Sequence, residues 1–156
     1  MTRWERWTFN TFHGVVAVTG VVYFYMKYFV TPTDPFSIAN HPWQPMMLST
    51  HLLAAPVFIA FFGILFRSHS LRKILSRDLR NRRSGWTSVV SFSLMALSGY
   101  FVQVASSPSW VTASIWLHVA TSLVFVVGYG VHLVIGWRLT SPSALRSLGR
   151  TVGQPS

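Results

Sequence analysis

Apolar positions in this chain follow neither the two-residue period of a strand nor a single helical stripe. They gather instead into four long runs, at 9–30, 46–66, 86–104 and 110–137. A hydrocarbon core of about 30 Å takes roughly 20 helical residues to cross. Each run therefore predicts a membrane-spanning segment. An unsatisfied backbone amide in lipid costs several kcal/mol, so each span is expected to be helical despite its many Val and Phe residues. The predicted fold is an all-α integral membrane four-helix bundle over 1–140, followed by a tail at 141–156. Helix breakers mark the connections: Pro32, Pro35, Pro42 and Pro45 in the first, Ser84-Gly85 ending the second, and Pro108 in the third.

Charge orients these spans. Twelve of the thirteen Lys and Arg fall before the first run, between the second and third, or after the fourth, and only Lys27 falls towards the opposite face. By the positive-inside rule both termini and the basic stretch at 67–83 are expected in the cytoplasm, with the Pro-rich first loop and the short third loop outside. The first run is too long for a cleaved signal and lacks a small-residue cleavage site, so it is expected to stay as an anchor. A net charge of +10 on a chain that is 51% hydrophobic and 10% charged fits cationic loops beside lipid. It does not point to nucleic acid, because no base-reading motif accompanies it.

With no cysteine in the chain, disulfides, thiolate metal sites, iron–sulfur clusters and covalently attached haem are excluded. Any metal must be held by His or oxygen. Four of the six histidines, His13, His51, His118 and His132, lie inside predicted spans, where an ionisable side chain is expensive and usually functional. His118 and His132 are fourteen residues apart, which returns to within about 40° of the same helix face and separates them by roughly 21 Å. The alternating direction of the spans puts His13 and His132 in the cytoplasmic half, and His51 and His118 in the outer half. Each pair suits the two axial positions of a planar iron ligand, a bis-histidine haem. A zinc ion is the alternative, but two His without Cys or intramembrane acid leave its tetrahedral shell incomplete.

Other residues have two readings each. Gly14, Gly20, Gly63, Gly99, Gly128 and Gly130 suit either the approach of a flat macrocycle or ordinary helix contacts. Pro56 is expected to bend the second span. Arg6 and Arg138, near His13 and His132, are candidates for the haem propionates, or else anchors to lipid phosphates. Asn10 is the candidate quinone hydrogen-bond donor, or a helix-end residue facing water.

One His early in the first span, one early in the second and two fourteen apart in the fourth form a pattern that resembles the four-helix di-haem cytochrome b family. That family includes the membrane subunits of formate dehydrogenase and nickel–iron hydrogenase, and a small bacterial superoxide oxidase. The likeness covers the chain from Trp4 to Arg138. It implies two haems b, one near each membrane face, and electron transfer to or from a quinone in a bacterial inner membrane. It also implies no ligand on the third span, which here contains no His. An electron-transfer subunit with redox partners at its outer face is the reading favoured. The alternatives are a free-standing superoxide oxidase type of enzyme and a haem-free transporter or anchor. An outer face holding only Lys27 and His41 against Asp34 is poorly made to attract superoxide, whereas the loop carrying Phe36 and Trp43 offers a docking surface or a plain interfacial loop.

Overall fold

A computed structural model describes residues 3–32, 34–67 and 82–139 of the chain. It is all-helical there, with four helices: α1 (Arg3–Phe29), α2 (Gln44–Leu65), α3 (Arg82–Val104) and α4 (Pro108–Leu139). All four are long and apolar enough to cross a membrane. The basic stretch at 68–81, including His69, and the tail from 140 onward lie outside the described residues.

The chain divides into two compact units, Met1–Asp78 and Leu79–Ser156. Each is a helical hairpin. In the first, α1 returns as α2 through a connection tied down by its own polar groups. Asp34 accepts at Oδ1 from the Phe36 amide at 2.9 Å, and Asn40 Nδ2 donates to the Lys27 carbonyl at 2.9 Å, fastening the loop to the end of α1. Gln44 Oε1 accepts from the Asn40 amide, while His41 Nδ1 accepts from the Trp43 amide at 3.1 Å. These bonds replace the ladder that the four prolines of this region cannot make. Phe36 and Ile38 remain almost wholly exposed. In the second hairpin α3 passes into α4 almost directly. Pro108 opens α4, where its missing N–H costs nothing because the first amides of a helix have no partner within it.

Side chains buried within each hairpin are few. Phe9, Thr19, Met26, Phe58 and Leu65 are buried in the first, and Ser91, Phe92, Met95, Ser98, Ser114 and Phe125 in the second. Most apolar side chains point outward instead, Leu53 at 77% and Leu123 at 65% exposure among them. A water-soluble protein would hide such residues, so these surfaces are suited to lipid. Pro56 lies inside α2, which continues through it.

Candidate functional site

On α1, Val16, Thr19 and Gly20 are three and four residues apart and so share one face. His51 of α2 lies against that face. Its Nδ1 is 3.0 Å from the Val16 carbonyl and 3.4 Å from Thr19 Oγ1. A Cβ built on Gly20 would stand 3.0 Å from the ring's Cε1 and 3.2 Å from Nδ1, so glycine there leaves the room the imidazole uses.

The second hairpin contains the same construction. His118 of α4 has Nδ1 2.9 Å from the Met95 carbonyl and 3.5 Å from Ser98 Oγ. A Cβ on Gly99 would meet its Cε1 at 3.1 Å and Nδ1 at 3.2 Å. A carbonyl oxygen can only accept, so in both rings Nδ1 carries a proton, and in the neutral ring Nε2 then carries the lone pair.

The match extends through the sequence. Moving 79 residues along takes Trp7, Thr8, Ala17 and Gly20 onto Trp86, Thr87, Ala96 and Gly99, and Thr19 onto Ser98. Moving 67 residues takes Trp43, His51, Phe58 and Gly63 of the returning helix onto Trp110, His118, Phe125 and Gly130. The two hairpins are one repeated unit, the second with a shorter connection. Phe58 and Phe125, two helical turns beyond the matched histidines, are the most deeply buried large residues of their hairpins.

The repeat is broken at the other two histidines. His13 falls where the second hairpin has Phe92, and His132 falls where the first has Leu65. His13 is half-buried between aromatic rings, 6.2 Å from Phe9 and 5.7 Å from Phe58 between centroids, and nearly parallel to Phe9. Phe92 makes the corresponding approach to Phe125 at 5.4 Å. His132 is half-buried on α4, on the same continuous helix as His118.

The remaining expected site residues are less enclosed. Arg6 is exposed on the second turn of α1, and Asn10 is half-buried one turn before His13. Arg138 belongs to the end of α4, and its side chain is outside the described residues. Of the six glycines singled out above, Gly20 and Gly99 press on a histidine; a Cβ at Gly14, Gly63, Gly128 or Gly130 would meet nothing within 4 Å. A groove of about 510 Å³ runs along the second hairpin between Trp86, Ser91, Leu94 and Thr121, with no histidine in its lining.

Of the residues that build these two cradles, His51, His118, Gly20 and Gly99 stand out in the sequence, whereas Val16, Thr19, Met95 and Ser98 do not. A backbone acceptor leaves no trace in residue type, and a Ser or Thr in a membrane helix usually bonds its own backbone. The signal that could have found them is the repeat itself, Ala-x-Thr-Gly in α1 against Ala-x-Ser-Gly in α3.

Among the described residues no three His, Cys, Asp or Glu come together to hold a metal ion. A porphyrin brings four nitrogens of its own and asks the protein for two axial ligands. An imidazole that donates through Nδ1 and offers Nε2 is the form such a ligand takes. Comparison with protein-family models, curated proteins and solved structures finds no match.

Proposed function

We propose that this chain is a membrane di-haem cytochrome b that carries electrons between a redox partner subunit at the outer face and the quinone pool. The observation that supports it most is the duplicated histidine cradle: two imidazoles in apolar helices, one per hairpin, each with Nδ1 committed to a backbone carbonyl. A hydrogen-bonded packing histidine needs neither the same tautomer twice nor a glycine cleared for its ring. On this reading His51 and His118 would hold the outer haem, and His13 and His132 the cytoplasmic haem.

When bound, the haems supply reversible one-electron chemistry. The chain's own residues do the rest. The cradles orient two imidazoles, the aromatic shell of Phe9, Phe58, Phe92 and Phe125 excludes water, and the apolar outer surfaces hold both sites in lipid. Arg6 and Arg138 are the candidates to neutralise carboxylates of the cytoplasmic haem, and Asn10 the candidate to offer a hydrogen bond to a quinone. The cation distribution supports both termini in the cytoplasm, and the resemblance to the di-haem cytochrome b family supports a bacterial inner membrane.

Pyridine haemochrome assay of the purified protein tests the proposal. Two non-covalent haems b per chain, both low-spin, are expected. A stoichiometry near zero, or haem that resists acid-acetone extraction, sinks it. Cysteines introduced at Ser37 and Ser76 test the orientation: Ser37→Cys labels from outside and Ser76→Cys from inside, and the reverse pattern overturns it.

A further inference from the structure

The hydroxyls beside the matched histidines have a chemistry of their own. Thr19 has one hydroxyl proton, and that proton is directed to the Val15 carbonyl at 2.7 Å, with the Val16 carbonyl at 3.3 Å. Ser98 does the same with the Leu94 carbonyl at 2.7 Å and the Met95 carbonyl at 3.0 Å. With its proton spent on its own helix, each oxygen faces Nδ1 of the neighbouring histidine as an acceptor. The Nδ1–H of each ring is therefore shared between a near carbonyl and a more distant hydroxyl oxygen. Thr19 and Ser98 are buried, so water does not compete for the same proton.

We propose that Val16, Thr19 and Gly20, and again Met95, Ser98 and Gly99, are two copies of one positioning device. It locks the proton of His51 and of His118 on Nδ1, makes Nε2 more electron-rich, and so lets Thr19 and Ser98 tune the metal centre that these two rings would hold. That the two rings serve one centre rests on the proposed function. The locked tautomer rests on the hairpins alone. The three members of each copy act differently. The carbonyl accepts the proton, the hydroxyl accepts it in part, and glycine lets the ring lie close enough for both. Hydrogen bonding at the remote nitrogen raises the basicity of a ligating imidazole, and a more basic axial ligand favours the oxidised iron, which lowers the reduction potential.

The test is a potentiometric titration of the purified protein carrying Thr19→Val, Ser98→Ala, or both. Each single variant is expected to keep two low-spin haems and to move one of the two reductive steps to higher potential. The same step moves in both variants, and it moves further in the double variant. Thr19→Ser and Ser98→Thr, which keep the hydroxyl, are expected to titrate like the unaltered protein. Unmoved potentials, or shifts in different steps, overturn the device as a tuner of one centre. If the unaltered protein carries no haem, the proposed function has failed, and the tautomer is decided by nitrogen-15 NMR of the histidine rings. Signals lost in His51→Gln and His118→Gln are then expected to be those of Nδ1-protonated imidazoles, and Nε2-protonated rings overturn the lock as well.

Discussion

The two hairpins share a plan and diverge in what they do with its lower half. Near the connection between its helices each holds a histidine on the neighbouring helix through a carbonyl, a hydroxyl and a glycine. Two turns further along each buries a phenylalanine. From there they part. The first hairpin puts His13 beside Phe58, where the second has Phe92 beside Phe125, and the second carries His132 where the first ends on Leu65. A repeated scaffold thus supplies one matched histidine in each half without further change, whereas His13 and His132 stand at unrelated positions. On the proposed function, His51 and His118 are expected to behave as a matched pair of ligands, and His13 and His132 as two unlike ones.

Removing the ligands one at a time probes this symmetry most severely. His51→Ala and His118→Ala are expected to give the same spectrum, with haem per chain falling from about two to about one. His13→Ala and His132→Ala are expected to lose the other haem. Stepwise reduction followed optically checks the assignment. Different losses from His51→Ala and His118→Ala would refute the pairing, and loss of both haems in every variant would mean one cooperative fold rather than two sites.

Packing beneath the cradles gives the next largest effect. Phe58→Ala and Phe125→Ala each empty a nearly fully buried position, and truncations of that kind cost about 3–5 kcal/mol. Thermal unfolding in detergent is expected to show both variants destabilised to a similar degree. On the proposed function, Phe58→Ala alone should also disturb the haem that His13 would hold, because Phe58 stacks on that ring. Equal effects of the two variants on that haem would show the lower halves to be less different than their sequences make them.

Smaller again is the cost of crowding a cradle. Gly20→Ala and Gly99→Ala bring a methyl group to 3.0 and 3.1 Å from the histidine ring, so the ring must give by a few tenths of an ångström; held by its carbonyl it resists, and overpacking of this kind costs about 1–3 kcal/mol. Gly63→Ala and Gly130→Ala, with open space around the added carbon, serve as controls. The first two should broaden or shift the outer haem's spectrum while the controls leave it unchanged.

The weakest difference lies in the connections. Asn40→Ala removes the bond from the first loop to the Lys27 carbonyl, worth about 0.5–1.5 kcal/mol. The abrupt turn from α3 to α4 has no long loop to fasten. Limited proteolysis should therefore cut the Asn40→Ala chain faster within 31–43 while cleavage between α3 and α4 stays unchanged.

Much of this architecture is legible in the residues. The four apolar runs correspond to the four helices, whose ends extend past the runs wherever the flanking residues still favour helix. α1 begins at Arg3 rather than Phe9, and α3 at Arg82 rather than Trp86. Hydropathy sees only the apolar part of a helix, and backbone hydrogen bonding continues into the polar margin. The histidines are legible because a polar ring in an apolar run is conspicuous. Their partners are not, since the Val16 and Met95 carbonyls belong to residues whose side chains advertise only hydrophobicity. The glycines are visible without being distinguishable, and only the approach of a ring to Gly20 and Gly99 separates them from the four that face open space. Division into two hairpins is also hidden, because attention to four separate spans obscures similarity between pairs of them.

His118 and His132 stand on a single unbroken helix, fourteen residues and therefore roughly 21 Å apart along its axis. That is about two thirds of a 30 Å hydrocarbon core. On the proposed function, an electron moving between those two levels is unaccompanied by the Nδ1 proton of His118, which is held by the Met95 carbonyl. Such a movement is electrogenic. A full elementary charge crossing the whole membrane exchanges about 2.3 kcal/mol per 100 mV with the transmembrane voltage, and the fraction spanned here makes that about 1.6 kcal/mol per 100 mV. The length of one helix thus sets how strongly the balance between the two levels responds to an energised membrane.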